Sequence, residues 1–439
     1  MNLSKPPAVP EVPSNRILAL LASDKKLLED IYTSIHRYDY WDKIKQKYLR
    51  SNYNPEDVWQ ALKFLRKISH RPLPFRDKYN KPFSYYLTNK MEASKQIIDS
   101  KASGKLKVPG KIDLDRQKYQ ISSLVEEAIA SSQLEGASTT RKVAKQMITS
   151  GRKPSNVSER MILNNYQTME SIIKWSKMPL SREMLLEIQT SLTHSTLEEI
   201  EDVGRFRTDS DNIAVYDQEQ IVYEPPKVIA MDKAIDALIE FANSEQSPET
   251  YLHPVVKASI LHFWLAIIHP FCDGNGRTAR AVFYWYLLKE DYWLFKYLSI
   301  SLVIKQTKKQ YDEAFLKVQY DQNDWGYFLD YSFRTIEKSI ELFEKHLAKW
   351  VEKNKILQSK SKKLSKYNQR QQELLGYLYE HPDSEITITT HRKNHGVAYQ
   401  TARTDLMELE EKKLIYEADR KRKAKIYKGN TNKIESIFM

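Results

Sequence analysis

Residues 254 to 288 limit the possible folds more than any other part of the chain. Pro254 stands at a first helical position, and the run from Val255 to Ile268 is apolar on nearly all sides, so it reads as a central helix. A short loop follows, and then a second apolar helix from about Thr278 to Leu288. Two interior helices in sequence need further helices to cover them, which predicts a mainly α protein. The 11 glycines, against abundant Leu, Ile, Lys, Glu and Gln, agree with that. No apolar stretch approaches the roughly 20 residues of a membrane span. The N-terminal run Ile17 to Ala22 is too short for the core of a secretory signal, so a cytoplasmic location and no membrane partner are expected. The lone Cys272 excludes a disulfide framework or a multi-thiolate zinc site within one chain.

At about 150 residues per domain, 439 residues suggest two or three domains. Residues 1–115 read as an N-terminal helical domain, with breaks at Pro72, Pro74 and Pro82. A central domain is expected over 116–350. It opens with an apolar helix face (Ile121, Leu124, Val125, Ala128, Ile129) that stops at Gly136, and continues with a helix at 158–175 and another capped by Ser181. The stretch 203–226, with IAV and QIVY ahead of Pro225 and Pro226, predicts a short β-hairpin flap. Residues 351–367 read as a linker. Residues 368–439 show helix, short β-prone ITI, two helices around Gly396 and two strand-like segments, an order that resembles a winged helix-turn-helix. Residues 351 to 439 hold 19 Lys and Arg against 12 Asp and Glu, more than half of the chain's formal charge of +12. Such a tail attracts polyanions without identifying them. The run Arg420 to Lys423 fits DNA phosphates, a solvated turn or a protein dock about equally well.

The loop itself carries the chemistry. In His269-Pro270-Phe271-Cys272-Asp273-Gly274-Asn275-Gly276-Arg277-Thr278-Ala279-Arg280, glycines flank an asparagine between two helices, which lets successive N–H groups face one point at a helix N-terminus. Arg277 and Arg280, three residues apart, can both reach phosphate oxygens there. Asp273 is a hard oxygen ligand suited to Mg²⁺ shared with phosphates. His269 can act as a general base at neutral pH. Base, metal ligand, amide nest and two cations are the parts needed for transfer of a phosphate-containing group. His253 and His262 lack an HExxH or a thiolate partner and read as core or surface histidines, and Cys272 reads as a small buried or partly exposed thiol instead of a nucleophile.

The string HPFCDGNGRTAR resembles the signature HPFxxGNGRxxR of the Fic family, with every specified position matched. The resemblance extends over about 116–345 and includes VGRFR and IVYEPP. It implies a Fic-type helical core and transfer of AMP from ATP to a Ser, Thr or Tyr hydroxyl of a target protein. His269 would then be the base and Asp273 the Mg²⁺ ligand. Gly274, Asn275 and Gly276 would cradle the α- and β-phosphates, with Arg277 on the β- and Arg280 on the γ-phosphate. Phe271 would anchor the loop, and the flap at about 213–223 would pair with the target segment. Upstream, Ser131-Ser132-Gln133-Leu134-Glu135-Gly136 resembles the family's inhibitory motif (S/T)xxxE(G/N). That resemblance implies that Glu135, one turn after Ser131, pairs with Arg280 and withholds the γ-phosphate site; in some relatives the same glutamate serves AMP removal. A different class remains open beside this one, a nucleotide-sensing regulator that binds DNA through 368–439, and so does a homo-oligomeric state.

Overall fold

The structure is a computed structural model that describes residues 3–77, 79–103, 113–217, 220–359, 364–421 and 424–438. In chain order the elements are α1 (Asn15–Ser23), α2 (Lys25–His36), α3 (Trp41–Tyr48), α4 (Pro55–Ile68), β1 (Arg71–Arg76), β2 (Pro82–Tyr85) and α5 (Asn89–Ala102). There follow α6 (Asp113–Leu134), α7 (Arg141–Ser150), α8 (Val157–Trp175), α9 (Arg182–Thr193), β3 (Val215–Asp217), β4 (Gln220–Tyr223), α10 (Val228–Asn243), α11 (Pro254–Ile268) and α12 (Asn275–Lys289). Last come α13 (Ile300–Gln306), α14 (Lys308–Tyr320), α15 (Gly326–Ser359), α16 (Gln369–Glu380), α17 (Ile388–His395), α18 (Tyr399–Glu411), β5 (Ile415–Lys421), β6 (Ala424–Gly429) and α19 (Thr431–Phe438). The protein is mainly α, and among the described residues the strands form three separate antiparallel hairpins. No helix among the described residues is long and apolar enough to cross a membrane. The chain divides into two compact units. One holds Met1–Gly104, Thr168–Phe295 and Ile300–Lys338; the other holds Lys105–Gln167, Lys296–Ser299 and Ser339–Met439.

In the first unit α11 is the central rod. Thirteen of its fifteen residues are buried, Lys257 and His262 among them, and it packs on α10 and α12. Its start is fixed twice, by Pro254 in the first turn and by His253, whose Nδ1 accepts from the Val255 N–H at 3.3 Å. With Nδ1 accepting, Nε2 carries the proton and donates to Asp99 of α5 at 3.0 Å. The N-terminal helices belong to this unit. Asn54 caps α4, Pro55 follows it, and α1, α2 and α3 pack on α4. The proline-rich stretch that interrupts the helical pattern forms the hairpin β1–β2.

A buried polar network joins α4 to the loop before α15. Lys63 Nζ donates to Asp321 at 2.8 Å and to Asp324 at 3.1 Å, and Arg66 donates to Asp324 at 3.1 Å. Tyr38 donates to Asp324 at 2.6 Å and Tyr327 to Asp321 at 2.7 Å. All six side chains are 6% exposed or less, so each charge has to be neutralised inside the network.

In the second unit α6 ends in a Schellman turn. The Ala137 N–H reaches the Ser132 carbonyl at 3.0 Å, the Gly136 N–H reaches Gln133 at 3.3 Å, and Gly136 takes φ +95°. Thr140 caps α7, and Gly151, at φ +68°, ends it. The tail packs Leu374, Leu375, Leu378, Leu406, Leu409, Ile415 and Tyr427 into its own core. Its order is helix, two helices around Gly396, hairpin and the further helix α19, which the periodicity did not anticipate. The β-prone ITI is no strand. Ile386 makes a single bridge to Tyr427, while Thr387 caps α17. α17 also packs on α6 and α7, and Lys393 lies 5.0 Å from the centre of the Tyr166 ring. Arg422 and Lys423 of the basic run, residues 360–363 of the expected linker and residues 104–112 lie outside the described residues.

Candidate active site

The junction between α11 and α12 brings together His269, Asp273, Gly274, Asn275, Gly276, Arg277 and Arg280. α12 begins at Asn275, three residues earlier than its apolar run suggests, because the asparagine side chain builds the turn before it. Asn275 Oδ1 accepts from the Phe271 N–H at 3.0 Å and Nδ2 donates to the Phe271 carbonyl at 2.8 Å, closing a ring over 271–275. Phe271 is fully buried and stacks on Phe206, ring centres 5.4 Å apart. Gly274 sits at φ +85°, where an added Cβ would meet Thr193 Cγ2 at 3.0 Å. The first-turn N–H groups of α12 therefore open toward the loop with no acceptor inside the helix, at its positive end.

His269 ends α11 in the left-handed region, at φ +50° and ψ +57°. Its Nδ1 lies 3.2 Å from the Ala266 carbonyl, which can only accept, so Nδ1 carries the proton and Nε2 the lone pair. Asp273 is half exposed; its Oδ2 takes the Arg277 Nη2 at 3.0 Å and its Oδ1 the Gly274 N–H at 2.6 Å. The Arg277 side chain is fully buried. Its Nη1 holds the Leu192 carbonyl at 3.1 Å, and its Nε meets no acceptor among the described residues. Arg280 is buried one turn further on, and its charge adds to burial in pushing His262 down to about 3. His262, with Nε2 2.9 Å from the Tyr311 hydroxyl, is thus a neutral packing histidine.

Three residues beyond the sequence reading support the loop. Arg207, 6% exposed, donates from Nε to the His269 carbonyl at 2.7 Å and from Nη2 to the Pro226 carbonyl at 2.5 Å and Ile268 at 3.4 Å; its backbone N–H reaches Pro270 at 2.8 Å. Tyr223 of β4 donates to the Ile267 carbonyl at 2.8 Å. Gln189 of α9 donates to the Asp273 carbonyl at 3.3 Å and accepts from Gly204 at 2.6 Å. All three bind backbone, so neither periodicity nor motif spacing marks them. Arg207 and Tyr223 do fall in the VGRFR and IVYEPP strings.

The flap pairs Val215 with Tyr223 and Asp217 with Gln220, with a bulge between; residues 218 and 219 lie outside the described residues. Tyr216 and Ile221 are exposed on it. In the other unit Ser131 is buried in the last turns of α6, and Glu135 is the exposed residue before Gly136.

Mg²⁺ is typically held by one or two carboxylates together with substrate phosphates. Asp273, a half-exposed hard oxygen donor beside the helix N-terminus, fits that role. Asp202, Asp211 and Cys272 do not, although their ligand atoms lie within 4.8 Å of one another. Arg205 pairs with both carboxylates, and burial pushes the Cys272 thiol up to about 12.

An apolar helix pair, a braced Gly-Asn-Gly turn and a histidine whose Nδ1 lies on a backbone carbonyl make up this junction. Residues 179–287 match the model of the Fic/DOC family. This stretch, which holds the α11–α12 junction, is similar to the Fic/DOC family. The chain is 37% identical over 101 residues to the protein adenylyltransferase Fic of Drosophila grimshawi and to that of Drosophila mojavensis. Each match covers 23% of this chain, and it covers 19% and 18% of those proteins. The chain thus spans about a fifth of the length of these curated relatives. Its fold resembles a Fic family protein from Desulfovibrio desulfuricans G20, with TM-score 0.50 and 18% identity over 79% of this chain and 97% of that one. It also resembles Fic-1 (aa134–508) from C. elegans, with TM-score 0.50 and 15% identity over 76% and 92%.

Proposed function

We propose that this protein transfers AMP from ATP to a hydroxyl side chain of a target protein. The observation that carries the reading is the His269 tautomer: the proton on Nδ1 is committed to Ala266, which leaves Nε2 as a base. Nε2 takes the hydroxyl proton, and the hydroxyl oxygen forms a bond to the α-phosphorus. The bond from that phosphorus to the bridging oxygen of the β-phosphate breaks, and pyrophosphate leaves. The first-turn N–H groups of α12 face the growing negative charge, and Arg280 serves the γ-phosphate. Arg277 keeps Nη1 on Leu192 and turns Nη2 from Asp273 to the β-phosphate. Asp273, so released, would hold Mg²⁺, which would supply neutralisation of phosphate charge. The exposed flap edge orders the target segment by strand pairing.

The Ser131 and Glu135 motif supports a restrained resting state. Purified protein with α-labelled ATP and Mg²⁺ tests both parts. Glu135→Gly raises label transfer and His269→Ala abolishes it; equal labelling of all three proteins refutes the proposal. A second reading, a nucleotide-sensing DNA-binding regulator, is favoured by the helix, two-helix and hairpin order of the tail. It requires salt-dependent duplex binding that disappears when residues 368–439 are removed, and an absence of binding at low salt rejects it.

A further inference from the structure

The C-terminal end of α11 allows a complete accounting of its carbonyls, which as the last four of a helix have no partner within it. Leu265 accepts from the His269 N–H, and Ala266 from the His269 ring. Ile267 accepts from Tyr223, Ile268 and His269 from the Arg207 guanidinium, and Pro270 from the Arg207 backbone. One side chain therefore holds the carbonyls on both sides of residue His269, while its own main chain holds the next one.

That arrangement bears directly on the imidazole. His269 sits at φ +50°, a backbone conformation that L side chains rarely adopt, and from there its ring reaches Ala266. Among the described residues the guanidinium bonds only neutral carbonyls, and burial pushes it below its usual range. A buried cation with no carboxylate bonded to it is a poor way to build a core. Its charge does oppose the negative end of α11, and its planar fork fixes directions that a lysine would not.

We infer that Arg207 is a positioning residue: by clamping the carbonyls of Ile268 and His269 it holds the left-handed turn that keeps Nδ1 on Ala266 and Nε2 as the base. This rests on the transfer reading for its catalytic consequence, but not for its structural one. Full-length protein with ¹⁵N-labelled histidine is compared as wild type, Arg207→Lys and Arg207→Gln, with His269→Ala identifying the His269 ring signals. Wild type shows the single Nδ1-protonated tautomer, and both Arg207 variants show a mixture. Label transfer falls about 10- to 100-fold in kcat, while KM for ATP changes by less than about threefold, as expected for a misplaced reacting group.

A single unchanged tautomer in a folded Arg207→Lys protein overturns the inference, and so does a kcat equal to wild type. If the Gln variant fails to fold, the Lys variant, which keeps the charge and one donor, decides the question. If neither wild type nor Glu135→Gly transfers label, the proposed activity is removed, while the ring-nitrogen spectra still decide the role of Arg207.

Discussion

Asn275→Ala tests how the loop between α11 and α12 is held. The side chain satisfies both polar groups of the Phe271 backbone, at 3.0 and 2.8 Å, in a position 4% exposed. Alanine leaves a buried N–H and a buried carbonyl without partners. At about 1–3 kcal/mol each, the loop loses about 2–6 kcal/mol against opening. At about 1.4 kcal/mol per decade, the Phe271 amide then exchanges roughly 30-fold to 20,000-fold faster. Hydrogen exchange read by mass spectrometry with single-residue fragmentation measures this directly. Asn275→Asp keeps the acceptor for Phe271 N–H but loses the donor to its carbonyl, so its acceleration falls between wild type and alanine. Unchanged protection in the Ala variant would falsify the ring closure, as would an Asp variant that opens as readily as the Ala variant.

The lone thiol offers a simple second test. Burial first, and then the Asp202 and Asp211 carboxylates, push Cys272 up to about 12, so at pH 8 iodoacetamide alkylates it at least about a hundredfold more slowly in native protein than in urea. Equal rates would contradict that environment. Glu159 binds Arg152 in a two-pronged pair at 3.0 and 2.7 Å and accepts from Ser155, interactions that lower its carboxyl to about 2. A lowered carboxyl contributes stability above its ordinary value of about 4.5 and loses it as pH falls toward 2. The melting difference between wild type and Glu159→Gln is therefore full above pH 5 and vanishes near pH 2; a constant difference rules this out. Asp324→Ala takes the carboxylate from Arg66, leaves Lys63 with Asp321 alone and destabilises the first unit by about 3–5 kcal/mol, seen as earlier cleavage in pulse proteolysis. Cleavage at the wild-type denaturant concentration would show the network to be dispensable.

The parts of this molecule that were legible in the sequence are those whose physics is local. An apolar run on all sides of α11 has to be interior whatever surrounds it, and a glycine at 136 or 274 marks a left-handed backbone before any partner is known. The unreadable parts depend on partners far along the chain. Lys63 and Arg66 look like solvent-facing charges on α4, and only the meeting with Asp321 and Asp324, some 258 residues later, turns them inward and joins the N-terminal helices to the unit that holds α11. The same applies within the site. The motif nominates Asn275 and Arg277 for phosphate, yet the asparagine spends its whole amide on Phe271 and the arginine gives one amino group to Leu192. A signature position therefore need not face the ligand with its side chain. Part of what HPFCDGNGRTAR records is bracing that leaves the backbone N–H groups of the helix start open, and Arg207, outside that string, extends the same bracing to the histidine.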